Sequence, residues 1–126
     1  MAKHLTTGHK GEAIAEKTIA AQGYRILERN WRYKHLEIDL IALDGDTLAF
    51  VEVRTRNDSQ FGEPYESIGR EKIRKLARAA NIYINQQNYG GEIRFDIVSV
   101  ILPQNLPSGI HIEPEVNLIK DAFWPE

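Results

Sequence analysis

In this 126-residue chain, the residues whose types and spacing could do chemistry fall in one stretch, Leu36 to Arg56, reading LEIDLIALDGDTLAFVEVRTR. Apolar residues alternate along both halves of the stretch, with Asp44-Gly45 between them, a strong signal for two strands joined by a tight turn. Successive side chains of a strand face opposite ways. Strict alternation therefore puts Glu37, Asp39, Ile41 and Leu43 on one face of the first arm. It puts Leu48, Phe50, Glu52, Arg54 and Arg56 on one face of the second. Strand interiors are poor in Asp and Glu, because an acid there must be solvated, paired or bound to a cation. Acids and a cation on one apolar hairpin make a candidate metal-dependent site. A solvent-facing sheet laced with cross-strand ion pairs is the structural alternative.

The elements that must position these groups follow from periodicity. A helix is expected from Thr7 or Gly8 through GEAIAEKTIAAQ, ending at Gly23, a residue that accepts positive φ. Glu12, Ala15 and Ile19 fall on one face of it, with Gly8 one turn earlier. Glu12 thus rides the edge of a small and apolar stripe, either serving the site or complementing the helix dipole in a first turn. Tyr24 to Trp31 reads as a strand. Trp31 and Tyr33 stand among Arg29, Arg32 and Lys34, a pattern that can stack on bases but more commonly caps a core.

After Arg56, NDSQFGEPYESIG is a loop that could cover or flank the charged face. A second helix runs from about Ile68 to Gln87, with Ile73, Leu76, Ala77, Ala80 and Ile84 as its apolar stripe. Arg70, Arg74, Lys75 and Arg78 make a basic outer face diluted only by Glu71. That face is either solvated surface or a site of phosphate attraction. Lys72 differs from them in lying at the margin of the apolar stripe. Gly90-Gly91 marks a turn, EIRFDIVSVIL a strongly apolar strand buried on both faces, and HIEPEVNLIKDAFW one or two short edge strands. The order is α-β-β-β-α-β with a terminal edge element, an α/β or α+β arrangement of helices around a mixed sheet.

Composition sets the limits. The chain is the size of one domain, residues 1–126, with Met1 to Thr7 as a loose arm. No apolar run approaches the ~20 residues of a membrane-spanning helix, and no signal-peptide segment is visible, so a cytoplasmic location is expected. Cysteine is absent, which removes disulfides and thiolate metal sites. The formal charge of -2 gives no global pull toward nucleic acid, so any such contact must use local positive charge. Four scattered histidines form no metal-binding spacing, and no phosphate-binding glycine loop or nucleophile elbow occurs. The available donors are carboxylate oxygens, which suit Mg²⁺.

Asp39, followed after twelve residues by Glu52-Val53-Arg54, resembles the acid…(D/E)-x-K signature of restriction-endonuclease-like nucleases. Glu12 on the preceding helix resembles the extra glutamate of Holliday-junction-resolvase-like members. More closely, five ordered segments resemble the YraN-like family of small bacterial proteins. They are G-E-x-x-A at Gly11 to Ala15, GY-x-IL-x-RN-W-R at Gly23 to Arg32, EIDLI at Glu37 to Ile41, FVEVRTR at Phe50 to Arg56, and RFDIV at Arg94 to Val98. The resemblance spans Gly8 to Phe123.

It implies a restriction-endonuclease-like fold: an α-β-β-β-α-β core, a mixed central sheet flanked by helices, and a C-terminal edge strand. It implies Glu12, Asp39 and Glu52 as ligands of Mg²⁺ or Mn²⁺, with Glu37 beside them. Asp39, Glu52, Arg54 and Lys72 are the expected catalytic residues. One departure matters: the usual lysine is Arg54 here, and an arginine stays charged and cannot act as a base. Lys72 is the candidate replacement ammonium. Arg56, Arg70, Arg74, Lys75 and Arg78 are the expected nucleic-acid contacts. The implied activity is metal-dependent cleavage of branched or single-stranded DNA in repair or recombination, with Ile110 to Phe123 as a candidate homodimer surface. The alternative is a non-catalytic nucleic-acid-binding or adapter protein on the same scaffold, and fold alone does not decide between them.

Overall fold

The computed structural model describes residues 7–57, 68–104 and 106–125. Within them the order is α1 (Thr7–Ala21), β1 (Arg25–Tyr33), β2 (Leu36–Asp44), β3 (Thr47–Arg56), α2 (Arg70–Gln87), β4 (Glu92–Ile101) and β5 (Glu115–Ile119). The expected loop at 58–67 and the arm at 1–6 lie outside the described residues. Five strands form one sheet in the order β1-β2-β3-β4-β5. All neighbours are antiparallel except β3 and β4, which run parallel through the α2 crossover. The mixed α/β architecture and its α-β-β-β-α-β order agree with expectation, and a single edge strand follows Pro114.

Each face of the sheet carries one helix. Ala15 and Ile19 of α1 pack with Leu40, Ala42, Ala49, Val51, Val98 and Val100. On the other face Leu76, Ala79, Ala80 and Tyr83 of α2 pack with Leu36, Ile38, Ile41, Phe50 and Phe95. Ala79 and Tyr83 thus replace Ile73, Ala77 and Ile84 of the expected stripe, which are only half-buried. The core-facing meridian of α2 is rotated toward Tyr83, whose ring packs edge-on against Phe50 and Trp31. Trp31 does cap this core, meeting Tyr83 edge-on at 5.5 Å between ring centres.

Two close approaches fix the framework. Gly45 takes φ 62 in the two-residue connection that follows Asp44, a conformation costly for other residues. Gly11 of α1 lies so near β3 that an added Cβ would stand 1.8 Å from Thr55 Oγ1. Only a residue without a side chain lets the helix, and Glu12 with it, sit this close to the sheet.

The expected alternation along β2 fails at one rung. Leu36 and Ile38 face α2, and so do Ile41 and Leu43, while Leu40 and Ala42 face α1. Glu37 and Asp39 therefore do not share a face with Ile41 and Leu43. The same reversal occurs on β1, where Arg29 pairs with Glu16 of α1 and Trp31 packs on α2. Between them Asn30 takes φ 49, opposite Asp39 between the paired rungs Arg29↔Leu40 and Trp31↔Ile38. A left-handed residue turns the strand over, and asparagine is among the few side chains that tolerate it.

Candidate active site

At this inverted rung β2 also parts from β3. Their ladder runs from Asp44↔Thr47 to Leu40↔Val51 and no further. Beyond it the Asp39 side chain does the joining, its Oδ2 accepting the Val53 backbone N–H at 2.8 Å. A parted pair of strands exposes backbone and side chains that a closed ladder would cover, and an acid stands in the opening. Glu52 is next to it on β3, only 4 % exposed.

Asp39 is the middle member of three carboxyls. Burial raises the Glu52 carboxyl to about 7, with the Asp39 charge and a hydrogen bond to Asp39 adding to it, against Lys72 and Arg54. Burial also raises Glu12, followed by the charge of Asp39, with His9 and a hydrogen bond from Asn30 pulling the other way. Two acids that must share a site cannot both ionise freely, so one keeps a proton. Glu12 sits in the second turn of α1, and no acid occupies the first turn, so dipole complementation does not account for it.

Two cations meet the third carboxyl. Arg54 Nη1 and Lys72 Nζ each lie 3.6 Å from Glu52 Oε2. Lys72 stands one turn before the buried Leu76 and extends to Glu52 from an exposed position. Lys72, expected as the replacement for the missing strand lysine, thus stands beside Glu52. Glu37, expected beside the site, is engaged with Arg32 across β1 at 3.3 Å, though its charge still contributes to raising Glu12.

Clefts open on both sides of Glu12 and Asp39. One, of about 410 Å³, is lined by Gly8, Val53, Arg54, Thr55 and Arg56 besides the two acids. The other, of about 220 Å³, is lined by His9, Glu16, Arg29 and Asn30 among others. The first sets two arginines against the two acids. The second carries acid on two sides. Arg70, Arg74, Lys75 and Arg78 are all exposed on α2 away from Glu52, with Lys75 near Glu71 at 3.8 Å.

Among the described residues no three His, Cys, Asp or Glu side chains are gathered closely enough to hold a metal ion as they stand. The donors nonetheless fit Mg²⁺ or Mn²⁺. Such ions take oxygen ligands, commonly one or two protein carboxylates completed by water and substrate phosphate, so the Asp39–Glu52 pair suffices.

Sequence reasoning missed Asn30 and the Val53 N–H. Asn30 was visible inside the RN-W segment as an asparagine in a strand, an uncommon residue there. The Val53 contact had no signal, since a backbone donor becomes available only when its ladder stops.

Comparison with known proteins adds the following. The model of "Uncharacterised protein family UPF0102" matches residues 11–100. A "UPF0102 protein" of Chlorobium chlorochromatii is 40% identical over 126 residues, covering 94% of this chain and 92% of that protein. One from Chlorobaculum parvum is 44% identical, covering 92% and 90%. One from Bacteroides thetaiotaomicron is 36% identical, covering 99% and 98%. The matched region contains every acid of the site.

Proposed function

This chain belongs to the UPF0102 family, and we propose that it is a metal-dependent nuclease hydrolysing phosphodiester bonds of branched or single-stranded DNA. The observation that carries this reading is the convergence of Asp39, Glu52, Arg54 and Lys72 at the point where β2 and β3 part. Two buried or half-buried acids facing two cations beside a cleft that two arginines line make a poor structural device and a good phosphate-cleaving one.

Asp39 and Glu52 would hold the divalent ion, and the Glu12 charge stands beside them. When bound, the ion polarises the phosphate and lowers the pKa of a water. Val53 N–H fixes the orientation of Asp39, leaving its other oxygen for ligation. Lys72 Nζ, an ammonium paired with Glu52, would position the water by donating a hydrogen bond to it. Arg54 stays charged and stabilises the negative charge gathering on the phosphate. Arg56 extends that positive lining along the 410 Å³ cleft. Nothing among the described residues forms a separate module for reading bases, so phosphate contacts and strand shape would dominate recognition.

One observation favours a second reading, a non-catalytic nucleic-acid binder. Glu52 already has two cations within 3.6 Å, so its charge is compensated without metal. The deciding experiment incubates purified protein with branched, single-stranded and duplex DNA and Mn²⁺, beside Asp39→Asn. Cleavage that needs both the metal and Asp39 supports the nuclease. DNA binding without cleavage, unaffected by Asp39→Asn, supports the binder.

A further inference from the structure

A second pocket, of about 340 Å³, lies around α2 from the acids and is lined by Arg70, Ile73, Arg74, Trp124 and Pro125. The sequence reading gave Arg70 and Arg74 a role in phosphate contact and gave Trp124 none. Yet the tryptophan is held in place. Its indole N–H donates to Asp121 Oδ1 and its ring meets Phe95 edge-on at 5.6 Å.

Asp121 is anchored in turn. Its backbone N–H donates at 2.9 Å to Oδ1 of Asp96, a carboxylate with no exposure at all. Arg94 and Tyr24 complete the hold on Asp96, at 2.7 Å each. A buried, fully partnered network therefore positions an aromatic ring that remains 52 % exposed. Exposing a large fixed aromatic beside two arginines forfeits hydrophobic burial that a purely structural residue would take.

We infer that this pocket is a nucleotide subsite, in which a base of single-stranded DNA stacks on Trp124 while Arg70 and Arg74 hold its phosphates. Aromatic platforms flanked by cations bind single strands in this way, because every base has a stacking face and every linkage a charge. On a helix of 3.6 residues per turn, Lys72 lies about 160° round from both Arg70 and Arg74. A strand crossing the N-terminal end of α2 would thus meet the Trp124 pocket on one side and the Lys72–Glu52 pair on the other. The subsite rests on the nucleic-acid reading above and gives it a direction across the molecule.

The test measures binding alone, in EDTA, with the Asp39→Asn protein, so that it does not depend on cleavage. The probes are a short oligothymidylate and an abasic oligomer of equal length, bound to protein with Trp124, Trp124→Phe or Trp124→Ala. Expected is a loss of about tenfold in oligothymidylate affinity for Trp124→Ala, with most affinity kept by Trp124→Phe. The abasic oligomer should bind both equally. Arg70→Ala with Arg74→Ala should weaken both probes and lower the slope of log affinity against log salt by about 1.4. Wild-type-like binding by Trp124→Ala overturns the subsite, as does an equal loss for the abasic oligomer. If these expectations hold while wild-type protein cleaves nothing with Mn²⁺, the subsite stands and the nuclease reading falls.

Discussion

Lys72 Nζ stands 3.6 Å from Glu52 Oε2, so a residue in the first turn of α2 reaches an acid buried in the third strand. This contact supplies an ammonium in a site whose strand position holds Arg54. Lys72→Ala is expected to lower Mn²⁺-dependent cleavage by about 10², the order of effect of removing one charged donor aimed at the reacting group. Lys72→Arg should restore it only in part, because a planar guanidinium does not reproduce the compact ammonium. Cleavage rates of the two variants, with circular dichroism to show intact folding, decide the matter. Wild-type cleavage by Lys72→Ala would remove the lysine from the mechanism.

Glu52 gives the protein a pH dependence of stability. Its carboxyl is raised to about 7 in the folded state by burial first and by Asp39 second, from an ordinary value near 4.5. Between those values the folded protein binds a proton that the unfolded chain does not. Stability therefore falls as pH rises through the window, and above it the full cost of an ionised buried acid is present. Glu52→Gln keeps the shape and removes the charge. Relative to wild type it should gain roughly 2–3 kcal/mol at pH 8 and little at pH 4.5. Urea denaturation of both proteins across this range measures the difference. Mn²⁺ should stabilise wild type at pH 8, by about 2.7 kcal/mol at a hundredfold excess over Kd, and leave Glu52→Gln nearly unmoved.

Gly11→Ala would drive a methyl into Thr55, whose Oγ1 lies 1.8 Å from the added carbon. The helix must then back away from β3, carrying Glu12 with it. A loss of about 1–3 kcal/mol in stability is expected. Thr55→Gly in the same chain should recover part of it by clearing the obstructing side chain. No recovery in the double variant would show that the helix is placed by something other than this contact.

Asn30 carries two separable roles, a left-handed backbone and a hydrogen bond to Glu12. Asn30→Gly relieves the backbone and removes the bond, so the fold should hold while the Glu12 carboxyl rises further. Asn30→Ala loses both and should cost about 1–2 kcal/mol more than the glycine variant. Thermal unfolding of the pair reads the backbone, and the chemical shift of the Glu12 side chain against pH reads the bond. Equal stability of both variants would show that φ at this position carries no strain.

Much of this molecule follows from local pattern. The Asp-Gly turn, the period-two arms of the hairpin, Gly23 at the helix end and the apolar β4 each express preferences that act over a few residues. Those preferences suffice to order the elements and to single out Asp39, Glu52 and Lys72. Strict alternation misplaced Glu37 and Asp39 relative to Ile41 because it assumes an uninterrupted pleat. The pleat turns over at Asn30 and Asp39, and one left-handed residue on a neighbouring strand is enough to do it. Likewise the buried side of α2 was set by where the sheet stands, which drew in Ala79 and Tyr83 ahead of Ile73, Ala77 and Ile84.

By itself, then, the sequence determined which elements form, in what order, and which acids interrupt an apolar hairpin, because these depend on short-range chemistry. Tertiary structure decided that Asp39 stands between Glu12 and Glu52, that Lys72 crosses to them from α2, and that Trp124 is fixed beside Arg70 and Arg74. Each is a meeting of residues far apart in the chain. Its geometry is set by how closely a helix can approach a sheet and where two strands part.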